Sequence, residues 1–458
     1  MEYISTRNKE KIFSFKDVFL MGLAPDGGLF VPKNIPLIET QELKKLKTLS
    51  YRDLTANIIL KFCNEFNNLE VNDLVKKSYK EFRVQEVVTI KKFGEDNLLE
   101  LFHGPTLAFK DIAMQVIGNM YEKILEKNKL KINIVVATSG DTGAAAISAI
   151  KDRKNMKIFV LHPEDKISEV QRKLMTTIDS NNVFNIALKG NFDDCQQFVK
   201  LMFSDKDFSK SINMSGVNSI NWSRIVIQIV YYFFSYFRVA KENEKINFCV
   251  PTGNFGDIYA GFIAKKMGLP INKLIIATNK NDILKRVTNS GNYKPSKAEH
   301  TVSPSMDIQV ASNFERLIFD ITNSDSKKTL KHMEDLKESG EFQLKKEELE
   351  NLKKSFCSES LTENETQQTI NETYKKKGIL IDPHTAVAVG VVKKVAMDTK
   401  TVILATAHPS KFSDVVKKTT NIEPELPENL KDVLFKKEQY KKLPKDLKKV
   451  KNYILEKI

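Results

Sequence analysis

The chain is poor in the residues that staple or metallate a fold. Its four cysteines (Cys63, Cys195, Cys249, Cys357) are scattered without a CxxC pair, and its six histidines form no HxxxH or HExxH pattern. A disulfide framework and a zinc site are therefore not expected, and reduced thiols fit a cytosolic setting. Nowhere does an apolar run approach the roughly 18 residues that a membrane helix needs. The most apolar helical stretch, Ile225 to Phe237, reads as a buried core helix. The opening residues, Met1 to Arg7, lack the apolar core of a signal peptide and the Arg/Ser-rich character of a transit peptide. A cytoplasmic location without membrane attachment is expected.

What is present is a long chain with an ordinary globular balance. At 458 residues it exceeds one core, so about two or three domains are expected. Hydrophobic residues at 41% and charged residues at 28% leave enough apolar surface to bury. The net charge of +14 has two readings. Clustered Lys and Arg could neutralise nucleic-acid phosphates; alternatively they form a lysine-rich solvated surface. The excess lies in helix-like and C-terminal stretches such as Lys436 to Lys451, which favours the second, so no nucleic-acid partner is expected.

Along the chain, residues 1–92 read as a small N-terminal domain, with a Gly/Pro-punctuated segment, Ala24 to Pro32, followed by a helical region from about Glu42 to Phe82. In residues 93–458 short apolar runs alternate with amphipathic stretches. Strands are expected at 132–137, 157–161, 183–188, 246–250, 274–277 and 402–405, with helices between them. That alternation predicts α/β architecture with doubly wound, mainly parallel sheets. The charged region from about 325 to 378 reads as a helical insertion or mobile segment, and a lysine-rich tail closes the chain.

In open α/β sheets ligands bind beyond the carboxyl ends of the strands, so the loops there carry the chemistry. Residues 137–146 (ATSGDTGAAA) put hydroxyls and glycines at a helix start, where backbone N–H groups bind a carboxylate or phosphate; an ordinary N-cap by Ser139 or Asp141 is the alternative. The stretch is not GxGxxG, which disfavours a nicotinamide cofactor. Residues 250–257 (VPTGNFGD) place two glycines three apart in a phosphate-cradling turn, without the Lys-Ser/Thr of a Walker loop. Residues 404–412 (LATAHPSKF) end a strand on Thr406, a hydroxyl able to reach a ring nitrogen. In residues 102–111 (FHGPTLAFKD), Lys110 follows a mostly apolar run, and a desolvated amine has the lowered pKa that imine formation requires. Taken alone, Lys110 also fits a snorkelling lysine at a helix start.

In their order and spacing, HGPTLAFKD, ATSGDTGAAA, NSINWSR (218–224), PTGNFGD and TAHPSKF resemble the threonine synthases of bacterial and fungal type, within the fold-type II pyridoxal-phosphate (PLP) enzymes. The similarity runs over almost the whole chain. It implies that Lys110 forms the Schiff base with pyridoxal 5'-phosphate and shuttles protons. It implies that Gly253, Asn254, Phe255 and Gly256 bind the cofactor phosphate, that Thr406 meets the pyridine nitrogen, and that Asp141 lies near the 3'-oxygen. Ser139, Gly140 and Thr142 are implied to hold the substrate α-carboxylate. For the substrate phosphate the candidates are Asn218, Ser219 and Arg224, Arg224 being suited to a bidentate contact, with a helix-surface ion pair as its alternative role. Asp307 and His384 match the family pattern without an assigned step. The implied reaction converts O-phospho-L-homoserine and water to L-threonine and phosphate in a monomer or homodimer. Another fold-type II lyase, a phospho-lyase or dehydratase, is the alternative.

Overall fold

The computed structural model describes residues 1–164 and 167–458. Strands β1 (Tyr3–Ser5) and β2 (Phe30–Pro32) pair antiparallel at the N-terminus. The expected helical region resolves into three helices, Thr40–Leu46, Tyr51–Phe62 and Asn68–Ser78. Local chemistry punctuates them: the side chains of Ser50 and Asn67 accept the backbone N–H three residues on, satisfying donors that a helix start leaves open. Leu54, Ile58, Ile59 and Phe62 then recur on one face and are buried.

The rest is built on two sheets. In chain order come β3 (Thr89–Phe93), β4 (Asp96–Glu100), β5 (Ile132–Ala137), β6 (Met156–Pro163), β7 (Val183–Leu188) and β8 (Met214–Ser215). They are followed by β9 (Ile246–Pro251), β10 (Ile271–Thr278), the short ribbon β11 (Asn292–Tyr293) and β12 (Phe342–Gln343), then β13 (Phe356–Ser360), β14 (Thr401–Ala405) and β15 (Lys441–Leu443). One six-stranded sheet has the order β13-β10-β9-β14-β4-β3, parallel except for the β3–β4 hairpin. The other, β15-β7-β6-β5-β8, is parallel throughout. Mostly apolar runs such as Ile132–Ala137 and Ile246–Pro251, each interrupted by one asparagine, suit strands covered on both faces. The helix Trp222–Val239 packs on the helices Tyr51–Phe62 and Lys110–Asn128 and on the helix Gly256–Lys266, and is buried at every position from Trp222 to Phe237; a helix apolar on nearly every side belongs inside.

Two expectations are corrected. Residues 325–378 are helical for most of their length but also deliver β13, which pairs in parallel with β10 (Leu274 opposite Phe356) and belongs to the sheet. The lysine-rich end is no solvated tail: β15 pairs with β7, and Val450 and Ile454 of the helix Leu447–Lys457 are fully buried against Val135, Phe159 and Ile186. Lysines on its outer face hid that apolar stripe.

The topology gathers loops. Because β4, β14 and β9 are parallel neighbours, the segments leaving their carboxyl ends (101–110, 406–412 and 252–256) emerge on one edge of the sheet. The loop after β5, 138–141, joins them from the second sheet. Among the described residues, no helix is long and apolar enough to cross a membrane.

Candidate active site

Lys110 opens the helix Lys110–Asn128 and is buried. The turn before it is held from three sides. The Asp111 carboxylate accepts from the Thr106 amide at 2.8 Å and hydroxyl at 2.5 Å. The Phe109 amide donates to the Thr406 carbonyl at 2.9 Å, and the His408 amide to the Leu107 carbonyl at 3.0 Å. Leu107 is forced to φ 63°, a conformation that costs a branched side chain about 1–3 kcal/mol and persists only where its surroundings dictate it. The lysine is thus fixed directly beside Thr406.

The Lys110 ammonium lies 3.3 Å from Asp141 Oδ2. Burial lowers its pKa below the ordinary lysine value; Asp141 opposes that shift, while the positive charges of Lys411 and Arg224 reinforce it. Asp141 has further partners: Lys411 Nζ at 2.7 Å and Gln171 Nε2 at 2.9 Å on Oδ1, and Ser305 Oγ at 3.3 Å on Oδ2. Burial alone would raise the Asp141 pKa, but Lys411 and Lys110 hold it well below the usual carboxylate range. Ser305 is held in turn by His384: its amide donates to His384 Nε2 at 3.2 Å, and His384 Nδ1 donates to Asp382 at 2.7 Å. His384 and Ser305 therefore support Asp141 from behind. Asp307 ties its own turn, accepting from the Thr301 amide and from the side chains of Thr301, Asn279 and Asn281.

The 138–143 loop is pinned by Thr138, whose hydroxyl accepts from the amides of Gly140 and Gly143, both at 2.9 Å. Neither Ser139 nor Asp141 caps the helix Asp141–Ile150. The Gly140 amide is spent on Thr138, and the hydroxyls of Ser139 and Thr142, both half-buried, have no partner among the described residues. Gly140 itself sits at φ 134° with Gln171 packed where a Cβ would project, so only glycine fits.

After β9 the chain turns through Gly253, Asn254 and Phe255 into the helix Gly256–Lys266. Gly253 is pressed against Ser305, whose carbonyl oxygen would lie 2.5 Å from an added Cβ. The Asn254 carbonyl and side chain are bound by Asn313 and Ser312, and Phe255, at φ 66°, is buried against Phe314 and Phe356. With the loop anchored through carbonyls and side chains, the amides of Gly253, Asn254 and Phe255 make no hydrogen bond among the described residues. They adjoin a helix start, the arrangement that takes up an anion.

Beside this loop lies the 218–224 run. The Ser219 carbonyl accepts from Asn313 Nδ2 at 3.2 Å, the same amide that binds Asn254. Asn218 and Ser219 are half-buried. Arg224 is 4% exposed, and among the described residues it forms no salt bridge; its Nε is buried without a partner. Burial drives its pKa down to about 10, and burial pushes nearby Asp257 up to about 6. A surface ion pair for Arg224 is thereby overturned.

Comparison with known proteins decides the family. Residues 2–79 match the threonine synthase N terminus, 98–406 the pyridoxal-phosphate dependent enzymes, and 385–454 the threonine synthase C-terminal family. A threonine synthase of Pseudomonas aeruginosa is 41% identical, over 99% of this chain and 98% of its own. The crystal structure of PLP-bound threonine synthase from Brucella melitensis superposes with a TM-score of 0.97 at 43% identity, covering 100% and 99% of the two chains. Threonine synthase from yeast gives 0.94 at 41%, covering 100% and 98%.

The chain belongs to the threonine synthase family.

The fold-type II architecture and the pyridoxal-phosphate cofactor come with that membership. The residues present fit the cofactor's chemistry. A buried amine suits its aldehyde. Free amides at a helix start suit its phosphate, and the Thr406 hydroxyl, which has no partner among the described residues, suits its ring nitrogen. Sequence reasoning about this threonine synthase relative missed Gln171, Ser305 and Lys411. Lys411 stood within the quoted TAHPSKF motif; its only signal was its place in a turn directly after an apolar strand.

Proposed function

We propose that the chain converts O-phospho-L-homoserine and water to L-threonine and phosphate, with Lys110 as the catalytic residue. The observation that carries the reading is the convergence of a buried, carboxylate-paired lysine with two separate anion-binding features, as a doubly phosphorylated pair of cofactor and substrate requires. The bound cofactor supplies an electron sink for carbanion chemistry.

Each residue's share follows from its chemistry. The amides of Gly253, Asn254, Phe255 and Gly256 hold the cofactor phosphate, and Thr406 offers a neutral hydroxyl to the ring nitrogen. Asp141 lies toward the 3'-oxygen. Ser139, Gly140 and Thr142 face the substrate carboxylate, in the main through the two free hydroxyls. Arg224, with Asn218 and Ser219, takes the substrate phosphate and stabilises it as it leaves with two negative charges. Lys110, whose proton is loosened by burial, passes on the proton it takes from the substrate α-carbon before it takes one from the β-carbon. It delivers protons to the γ-carbon that phosphate has left and back to the α-carbon. Burial of these groups shields that transfer from bulk water, and the one water consumed adds at the β-carbon. A cytoplasmic location belongs to this reading, supported by four cysteines that are all free.

The reaction is tested by products. Purified holoenzyme given O-phospho-L-homoserine should release L-threonine and inorganic phosphate in equal amounts. A 2-oxo acid as sole product would instead mark a dehydratase-type lyase.

A further inference from the structure

Asp141 is a buried carboxylate shared by two buried ammonium groups, and the two are not held alike. Lys411 is 0% exposed; its Nζ lies 2.7 Å from Asp141 Oδ1 and donates to the Thr106 carbonyl at 2.7 Å. Lys110 makes the longer contact, 3.3 Å to Oδ2. The Lys411 backbone is also fixed: its carbonyl accepts from Ser168 Oγ at 3.0 Å, and its amide donates to the His408 carbonyl at 3.1 Å. Every element packed around the carboxylate supplies a group that faces it: Gln171 from the helix Glu169–Thr176, Ser305 from the turn before Asp307, and His384 at longer range. Asp111, on the other side of Thr106, and Arg224 complete the charges around the two lysines.

We propose that Lys411 is a positioning residue of the reaction, claiming Asp141 through a direct ion pair so that Lys110 is the more weakly held ammonium at the same carboxylate and releases its proton readily. The inference rests on Lys110 being the cofactor-bearing lysine. Two unit charges of opposite sign in direct contact in a buried setting bind strongly, and a third charge then meets a carboxylate whose negative charge is already largely offset. Lys411 also repels Lys110 directly, and both effects act in the same direction. The Lys411–Asp141 pair further accounts for a carboxylate standing toward an oxygen of the cofactor ring, because it arrives with its own counter-ion.

The test compares wild type with Lys411→Met, Lys411→Gln, Lys411→Arg and Asp141→Asn. Two readouts are followed against pH. One is kcat of the loaded enzyme; the other is the rate at which the full-length cofactor-free chain takes up pyridoxal phosphate, seen by visible absorbance. Removing the Lys411 charge favours protonated Lys110, so both midpoints should move up by about one pH unit in the Met and Gln variants. Uptake at pH 7 should slow by about tenfold, with KM changed far less than kcat. Asp141→Asn should move the midpoints down, and Lys411→Arg should stay near wild type. Midpoints unchanged in Lys411→Met, with only thermal stability lost, would overturn the inference and leave a structural lysine. The Gln variant carries the same test if the Met variant does not accumulate. Cofactor taken up equally by Lys110→Ala would instead sink the underlying reading of Lys110.

Discussion

A guanidinium buried to 4% exposure without a carboxylate partner is an expensive thing for a fold to carry. Arg224 sits in that position in the first turn of the helix Trp222–Val239, its Nε unpaired among the described residues and its charge felt by Lys110. On the proposed reading it serves an anion that arrives from outside. Replacing it with Met, which keeps much of the stem, removes a buried charge that forms no direct ion pair among the described residues, so the thermal midpoint should hold or rise. At the same time kcat/KM for O-phospho-L-homoserine should fall by about ten- to a hundredfold, the worth of about 1.5–3 kcal/mol in charged hydrogen bonds. Thermal denaturation and steady-state kinetics on the same preparation check this. A less stable protein with undiminished kcat/KM would show Arg224 to be structural.

At the scale of elements, the strands were read best where the chain is plainest. The apolar runs 132–137 and 183–188 are strands at the expected residues, and 246–250 and 402–405 extend by one residue each. Buried parallel strands show as mostly apolar runs, here broken only by single asparagines (Asn133, Asn185, Asn247), so their signal is local. The missed strands lack that signal. β13 is Phe-Cys-Ser-Glu-Ser, and β15 is Lys-Lys-Leu, an edge strand whose lysines face water and guard the edge against further pairing. The helix after β15 hides an apolar pair, Val450 and Ile454, four residues apart among lysines. Because Ile454 is fully buried in the second sheet's core, Ile454→Ala should cost about 2–5 kcal/mol in denaturant unfolding. A change within about 0.5 kcal/mol is what a solvated tail would give, and would contradict the docking of this helix.

For the molecule as a whole, the site was legible to the extent that it is built from loops following strands. Each such loop is contiguous in sequence, so HGPTLAFKD, ATSGDTGAAA, PTGNFGD and TAHPSKF could be recognised before their meeting place was known. What sequence does not carry is distance. Gln171, Ser305 and His384 come from three separate elements and meet around Asp141 only once two sheets are packed. The alternative reading of Ser139 or Asp141 as an N-cap does not hold, for a related reason: Thr138, just before them, takes the amides of Gly140 and Gly143. The same packing that buries these groups lowers the Lys110 pKa, and the direct test of its proposed role is to find where the cofactor attaches. The holoenzyme should be reduced with borohydride, digested and mapped by mass spectrometry, beside a Lys110→Ala variant. The account predicts the reduced cofactor on the peptide containing Lys110, and none on the variant. Label on another lysine, or label that survives in Lys110→Ala, would contradict it.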